Sequence, residues 1–504
     1  MPPLSLIALM VVPMTAAIWL IDGSVAEDGR RARGLSAACG AGWWWGFGYF
    51  LCGIWWVGSA ALVDADKYAW SLPLAIVALP ASLAFFPAAG FVLAGLLWSG
   101  GPLRVLALAF GLGVSEWARA LAFTGFPWND LGMTLGANLT LAQIASIVGL
   151  HGLTFLSIAI FAAPAALWRT RGTRPEPLPP ITAALALAMI AGFGAWRLTA
   201  PASEMVGGAK LRLVQPDISQ GASFAPENKE AILQRYFQLS NGDAGPHHVG
   251  LRDVTHLIWP ESAFPFILSH DPQSIRAIVD LLHGRATLIT GAARMDEKGG
   301  EARYYNSIEI VNNKGLLAER YDKQHLVPFG EYVPFASVLE KTGVTLFVQV
   351  PGGFTPGSGP RTLKAPGLPA AMPLICYEAI FPVEIGDLFS GAQRLNWMLN
   401  VTDDAWFGVT PGPYQHYAQA RLRAIELGLP LVRAANSGIS AVVDGFGREI
   451  AVAPLGVETA LDAGLPKPLP PTWQSRFGSL GAMAIALVFL ASCVAGKSCG
   501  KSNF

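Results

Sequence analysis

LICYEAIFP (residues 374–382) is the stretch on which the fold and the chemistry turn. The apolar run from Met372 to Ile375 predicts a buried strand. It stops at Cys376, and Tyr377 and Glu378 follow before a helix start. A thiol ending a buried strand, with a carboxylate two residues on, suits a positioned nucleophile. Taken alone, such a cysteine is better read as a small buried hydrophobe. No other cysteine lies between Cys52 and Cys493, so it has no disulfide partner in the surrounding sequence.

Outward from that stretch, short apolar runs alternate with polar loops from residue 210 onward. AKLRLVQPDI (209–218), VTHLIWPES (254–262), ATLITGAAR (286–294), YYNSIEIVNN (304–313), AAMPLICYE (370–378), LNWMLNVTDD (395–404) and SAVVDGFGREIA (440–451) are predicted strands. Amphipathic helical spacing falls near 227–241, 272–284, 379–390 and 412–428. Such alternation predicts a layered α/β sandwich.

The remainder has a different character. With 52% hydrophobic and 14% charged residues over 504 positions, the chain is too apolar for an ordinary soluble protein. Apolar runs long enough to span a bilayer fall near 4–21, 36–60, 71–98, 103–123, 142–167, 180–198 and 477–495, about seven spans, with a kink expected at Pro80 or Pro87. The expected organisation is a transmembrane helical domain (1–200), an outward-facing catalytic domain (201–470), and a final span with a short cytoplasmic tail (471–504). Seven alternating spans put Arg30, Arg31, Arg33, Arg104, Arg169, Arg171, Arg174, Lys497 and Lys501 on one side, which the positive-inside rule makes cytoplasmic. Glu116 and Arg119, three apart near the outer end of a span, are placed to pair. TGFPWNDLG (124–132) reads as a re-entrant or interfacial turn with Trp128 as an aromatic anchor. The formal net charge of zero gives no reason to expect nucleic acid. No CxxC pair or histidine cluster has metal-ligand spacing.

Three segments of the outward domain combine strand, turn and ionisable residue. Glu261 follows a strand and a Trp-Pro turn in HLIWPESAFP (256–265), Lys323 and Glu331 lie in ERYDKQHLVPFGEYVPF (319–335), and Cys376 completes the set. A carboxylate, an ammonium and a thiol at the ends of neighbouring strands make a coherent acyl-transfer site. The acid takes the thiol proton. The fixed positive charge steadies the oxyanion and favours the thiolate. Each residue alone has a plainer explanation: a helix-start charge, a surface lysine, a packing cysteine. Residues 343–357, GVTLFVQVPGGFTPG, offer an apolar segment with a glycine hinge, either a lid or a core strand.

In order and local context, Glu261 in WPES, Lys323 in YDKQHLVPFGEYVP and Cys376 in ICYE resemble the Glu-Lys-Cys triad of the bacterial apolipoprotein N-acyltransferases, whose outward domain is of the nitrilase superfamily. DAWFG (404–408), PYQHYAQARLRAIE (413–426), ANSGISAV (435–442), WGFGYF (45–50) and TGFPW (124–128) extend the resemblance. It implies a nitrilase-like α-β-β-α sandwich on a membrane α-helical bundle, working without metal or other cofactor as a monomer in the bacterial inner membrane, with the catalytic domain periplasmic. The implied reaction moves a fatty acyl chain from a phospholipid donor, through a Cys376 thioester, to the N-terminal amine of a diacylated lipoprotein. Glu331, Tyr377 and Glu378 fall at supporting positions. A membrane-tethered amidase acting on a small amide or nitrile is the alternative, and a transporter with an accessory domain the non-enzymatic one. Three features depart from the family pattern: seven spans where eight are usual, Phe224 in place of a tryptophan, and Asp403 in place of an asparagine.

Overall fold

The computed structural model describes residues 2–25, 31–99, 101–168, 175–223, 226–242, 250–298, 301–312, 314–315, 317–334, 350, 352–359, 362–382 and 395–501. Among these, the strands are β1 (Met205–Gln215), β2 (His256–Trp259), β3 (Thr287–Lys298), β4 (Glu301–Val311), β5 (Leu317–Asp322), β6 (Ala371–Ile375), β7 (Trp397–Thr402), β8 (Leu431–Ala435), β9 (Ser440–Val443), β10 (Glu449–Ala453) and β11 (Thr459–Pro466). They form two sheets, one ordered β11-β1-β2-β3-β4-β5 and the other β10-β9-β8-β7-β6.

Side-chain alternation along each strand builds the layers. In β2, Ile258 points between the sheets, where it meets Leu213, Ile375, Leu399 and Val432. Its neighbours Leu257 and Trp259 point the other way, onto Tyr236 and Ile278 of helices Lys229–Asn241 and Pro272–Leu282. The second of these helices begins with Asp271 accepting from the Ser274 amide and with Pro272 at its first position, and stops at left-handed His283. Helix Pro411–Leu427 covers the other sheet through Ala420 and Ala424 against Met372 and Met398. The result is an α-β-β-α sandwich.

Several strands differ from expectation. The run at 440–451 is a hairpin, β9 and β10, turning through Gly447 at φ +79°. β5, β8 and β11 carry too little apolar alternation to be read as strands: LAERYD is charged, LVRAA has Arg433 in its middle, and TALDAGLP has an aspartate and a glycine. Of the helix expected at 379–390, residues 383–390 lie outside the described set; Cys376–Ile380 is a short 3-10 turn. Residues 343–349 and 351 of the expected lid, and Phe224, also lie outside it.

Among the described residues, six helical stretches are long and apolar enough to cross a membrane: Ile7–Val25, Arg33–Leu62, Ala65–Leu97, Ala145–Leu167, Leu178–Leu198 and Leu480–Ser498. The other expected span is the helix Arg104–Leu121, which is sheathed by its neighbours and carries buried Arg104, Glu116 and Arg119. The proline-rich run divides at Ala84, between Pro80 and Pro87, into Leu72–Leu83 and Phe85–Leu97.

Helix Pro411–Leu427 belongs to both halves of the molecule. One face packs on its sheet, while Leu422 and Ile425 join the apolar core of the bundle with Leu135 and Leu153. Helix Ala145–Ala162 breaks at Gly149, φ +65°, and the Leu150 amide freed by the break donates to Glu426 Oε1 at 2.6 Å. An exposed carbonyl or amide in an apolar surrounding is costly, so this cap fastens sandwich to bundle at a defined point. Trp128 is not a lipid-facing anchor. It is buried between Trp56, Phe407 and His416, and its Nε1 donates to Gln415 Oε1 at 2.9 Å. The loop it belongs to is roofed by the sandwich, which removes it from lipid.

Candidate active site

Glu261 follows β2 and Lys323 follows β5, the two lying in one sheet with β3 and β4 between them; Cys376 follows β6 in the facing sheet. They are therefore not on neighbouring strands. The sandwich brings them together because all three strands end at the same edge. A Cβ at Gly291 on β3 would stand 2.5 Å from Glu261 Cα, so the close approach of β3 beneath this turn requires glycine.

All three side chains are buried, Lys323 to 1% exposure, which excludes a surface role for it. Its Nζ donates to Glu331 Oε1 at 3.0 Å, lies 2.9 Å from Glu331 Oε2, and is 3.6 Å from Glu261 Oε1. Asn306 on β4 donates from Nδ2 to Glu261 Oε1 and Glu331 Oε1, both at 2.8 Å. The Asp403 amide donates to Glu261 Oε2 at 2.9 Å and the Val327 amide to Glu331 Oε2 at 2.8 Å. Burial pushes the Lys323 ammonium down, but Glu331, Glu261 and Cys376 outweigh it and hold the pKa far above the usual value. The lysine is a permanent cation.

Cys376 is nine-tenths buried and adopts the left-handed conformation, φ +48°. For a residue with a side chain this costs on the order of 1–3 kcal/mol, so the surroundings must hold it. Burial drives its thiol pKa well up and the Glu261 charge drives it further, while Lys323 and a hydrogen bond with Thr402 act the other way. The resting group is a thiol that needs a base. Burial also raises Glu261, against the pull of Lys323, and so increases its proton affinity.

Glu378 ties the two loops together. Its Oε1 accepts from Tyr321 Oη at 2.8 Å and from the Gln324 and His325 amides at 2.9 and 3.1 Å, beside Lys323. Its Oε2 accepts from the Ile375 amide at 2.8 Å, beside Cys376. Tyr377 turns toward the bundle, where its Oη donates to Gly125 O at 3.1 Å and its ring packs on Phe126 and Phe381. The end of the expected lid is stitched to the same place, since Phe354 N donates to Glu331 O and Gly357 N to Lys323 O, both at 2.8 Å.

Asn306, Asp404, His416 and Arg433 were not singled out from sequence. Asn306 is legible in hindsight as a polar residue within a strand; Asp404 and His416 lie in DAWFG and PYQHYAQARLRAIE, two of the segments that carry the resemblance, and nothing local marks Arg433. The Cys376 sulfur, an Asp404 carboxylate oxygen and a His416 ring nitrogen lie within 4.8 Å of one another. His416 Nδ1 is 2.8 Å from Asp404 Oδ1 and Nε2 is 3.1 Å from Cys376 O, while Arg433 donates to Asp404 Oδ2 at 2.7 Å. Both ring nitrogens and both carboxylate oxygens are thus engaged within the protein, and the trio reads as a hydrogen-bonded set rather than as metal ligands.

A buried carboxylate, a permanent cation and a strained thiol within electrostatic reach of one another can carry out acyl transfer. Residues 1–163 match the family model described as the apolipoprotein N-acyltransferase N-terminal domain, and residues 212–467 match that of the carbon-nitrogen hydrolases. The chain is 48% identical over 495 residues to the apolipoprotein N-acyltransferase of Rhodopseudomonas palustris, covering 97% of this chain and 91% of that protein. It is 47% identical to the one of Bradyrhizobium diazoefficiens, with the same coverage. Among solved structures, Saccharomyces cerevisiae Nit3, a member of branch 10 of the nitrilase superfamily, aligns at 20% identity and TM-score 0.37 over 51% of this chain and 90% of its own. With both halves matched and the likeness to the curated relatives running nearly end to end, the chain belongs to the apolipoprotein N-acyltransferase family.

Proposed function

We propose that this protein transfers a fatty acyl chain from a phospholipid to the α-amino group of a diacylglyceryl-cysteine lipoprotein, with Cys376 as nucleophile, Glu261 as general base and acid, and Lys323 as the fixed cation. The observation carrying this reading is the convergence of those three side chains in one buried cleft seated on a membrane bundle. In the first half-reaction Glu261 takes the thiol proton as sulfur attacks the ester carbonyl. Lys323 offsets the oxyanion charge. Collapse breaks the carbon–oxygen bond, and Glu261 returns its proton to the leaving lysophospholipid. In the second, the lipoprotein amine attacks the thioester, Glu261 takes its proton, and collapse releases sulfur, which Glu261 reprotonates. Glu331 orients and charges Lys323, Glu378 couples the Lys323 and Cys376 loops, and Tyr377 seats the nucleophile turn on the bundle.

We take residues 1–200 and 471–504 as the membrane part of a bacterial inner-membrane protein and residues 201–470 as its periplasmic unit. The basic loops of the sequence support that orientation. Tethering matters because both substrates are held in the bilayer, so the site meets them at high effective concentration. The test is mass measurement of the Cys376 peptide after exposure to a phospholipid with one labelled acyl chain. A gain of one acyl group, discharged by a diacylated lipopeptide amine, is expected. Ammonia release from small amides without any acyl-Cys376 from phospholipid would replace the proposal with the amidase reading.

A further inference from the structure

Cys376 holds a backbone conformation that a side-chain-bearing residue rarely adopts, φ +48°. Its carbonyl oxygen is met by His416 Nε2 at 3.1 Å. A carbonyl oxygen can only accept, so this contact is a hydrogen bond in the tautomer with the proton on Nε2, in which Nδ1 accepts from Arg433 at 3.2 Å. The ring has little freedom. It is fully buried, with Trp128 at 5.2 Å and Phe407 at 6.1 Å between ring centres. Asp404 Oδ1 lies 2.8 Å from Nδ1, and Asp404 is held in place by Thr402 Oγ1 at 3.0 Å and Arg433 at 2.7 Å. Arg433 also donates to Asn400 Oδ1, and Asn400 Nδ2 donates to Leu374 O on β6 at 3.1 Å. The chain of bonds therefore runs from Cys376 back to the strand that delivers it.

We infer that His416 is a positioning residue for Cys376: its Nε2–H, donated to the Cys376 carbonyl, holds the turn that points the sulfur into the cleft with Glu261 and Lys323. Asp404 and Arg433 fix the ring for that task. This inference rests on the acyl-transfer reading of the cleft, but it assigns to His416 a duty that the reading does not contain. Trp128 adds a consequence. The ring that orients the nucleophile leans on a residue of the bundle, so the bundle sets the nucleophile's angle through His416 as well as through Tyr377.

The experiment compares the full-length protein with His416→Gln, His416→Asn and His416→Leu in detergent micelles containing a diacyl phospholipid with one fluorescent acyl chain. The single-turnover rate of Cys376 labelling is followed against lipid concentration, together with thermal melting. Glutamine can place an N–H near the Nε2 position, asparagine is too short, and leucine has no donor. Leucine and asparagine variants should lose about tenfold or more in the saturating rate with unchanged half-saturating lipid, while glutamine recovers most of it. A merely structural role would move all three alike, in step with melting. Labelling of His416→Leu at the parental rate, equal losses in all three, or a loss confined to half-saturation overturns the inference. Absence of label on Cys376 in the parent overturns the acyl-transfer reading itself.

Discussion

Two buried ion clusters in this protein have similar ingredients and different uses. In the bundle, Arg119 pairs with Glu116, Nε to Oε1 at 3.2 Å, and gives its remaining donors to Phe126 O and to Trp128 O at 2.9 Å. In the sandwich, Lys323 sits between Glu331 and Glu261 with Cys376 close enough to feel its charge. The guanidinium is a planar fork whose bonds hold backbone in place. The ammonium is a compact charge whose partners set its protonation and leave its field acting on a sulfur. One cluster shapes a loop and the other a reaction coordinate, so removing each should fail differently.

The largest difference should come from Lys323→Met. It removes the cation and keeps the stem, so turnover should fall by about 10²–10³-fold or more, while phospholipid binding stays near parental. Assays of acyl transfer and of lipid retention on the same preparation check this. Normal turnover would remove Lys323 from the mechanism and make the two clusters alike.

Glu116→Ala is the matching change in the bundle. Removing one partner of a buried pair leaves an uncompensated charge and costs about 3–5 kcal/mol. Expected is a fall in melting temperature in detergent, with whatever remains folded still forming acyl-Cys376 at a near-parental rate. A per-molecule rate loss as deep as that of Lys323→Met, with melting unchanged, would move Glu116 from scaffold to chemistry.

The sequence told these clusters apart only in part. Glu116 and Arg119 are three apart on one helix, so their pairing is local and readable. Glu261, Lys323 and Cys376 are distant along the chain; Glu261 and Cys376 each follow an apolar run and the edge of a layered sheet gathers strand ends, whereas Lys323 follows the charged strand LAERYD and was readable only through the resemblance of YDKQHLVPFGEYVP. That made the cleft legible. What stayed hidden was what strand order decides: that Glu261 and Lys323 are separated by β3 and β4, and that Asn306 bridges two carboxylates from the strand between. Trp128 was misread because amphipathic aromatics near a span usually face the interface, whereas here the sandwich covers them. β8 was missed because its buried Arg433 breaks an apolar pattern, and the partners that let it be buried, Asp404 and Asn400, come from β7 and the turn after it.

Asp403 sharpens the comparison from the side of pH. Burial drives its carboxyl up to about 8, and Glu261 and Asp404 push the same way, against hydrogen bonds from the Ala405 amide and Asn436. Its Oδ2 is buried and has no hydrogen-bond partner among the described residues. A folded pKa above the unfolded value of an acid means that the folded state holds a proton the unfolded chain has released. Stability therefore falls as pH rises from about 4 to about 8, by about 1.4 kcal/mol per pH unit where the difference is fully expressed. Asp403→Asn has no proton to lose. It should melt above the parent at pH 8, with the gap narrowing toward pH 5. A gap that is constant across this range would show that Asp403 ionises in the fold as freely as outside it.

The smallest effect belongs to the contact where the two clusters meet. Arg119 holds Phe126 O and Trp128 O, and Tyr377 Oη donates to Gly125 O of the same loop at 3.1 Å. Tyr377→Phe keeps the ring packing against Phe126 and Phe381 and deletes one hydrogen bond, worth about 1 kcal/mol. Because that bond joins the turn after Cys376 to the loop that Arg119 braces, the loss should not add to that of Glu116→Ala. In the double variant the loop is already loosened, so removing the hydroxyl should cost less than it does alone. A double-mutant cycle on melting temperature and on Cys376 labelling measures this coupling. Strict additivity in both would mean that the bundle cluster braces its loop without reaching the nucleophile, and the two buried ion sites would then be independent.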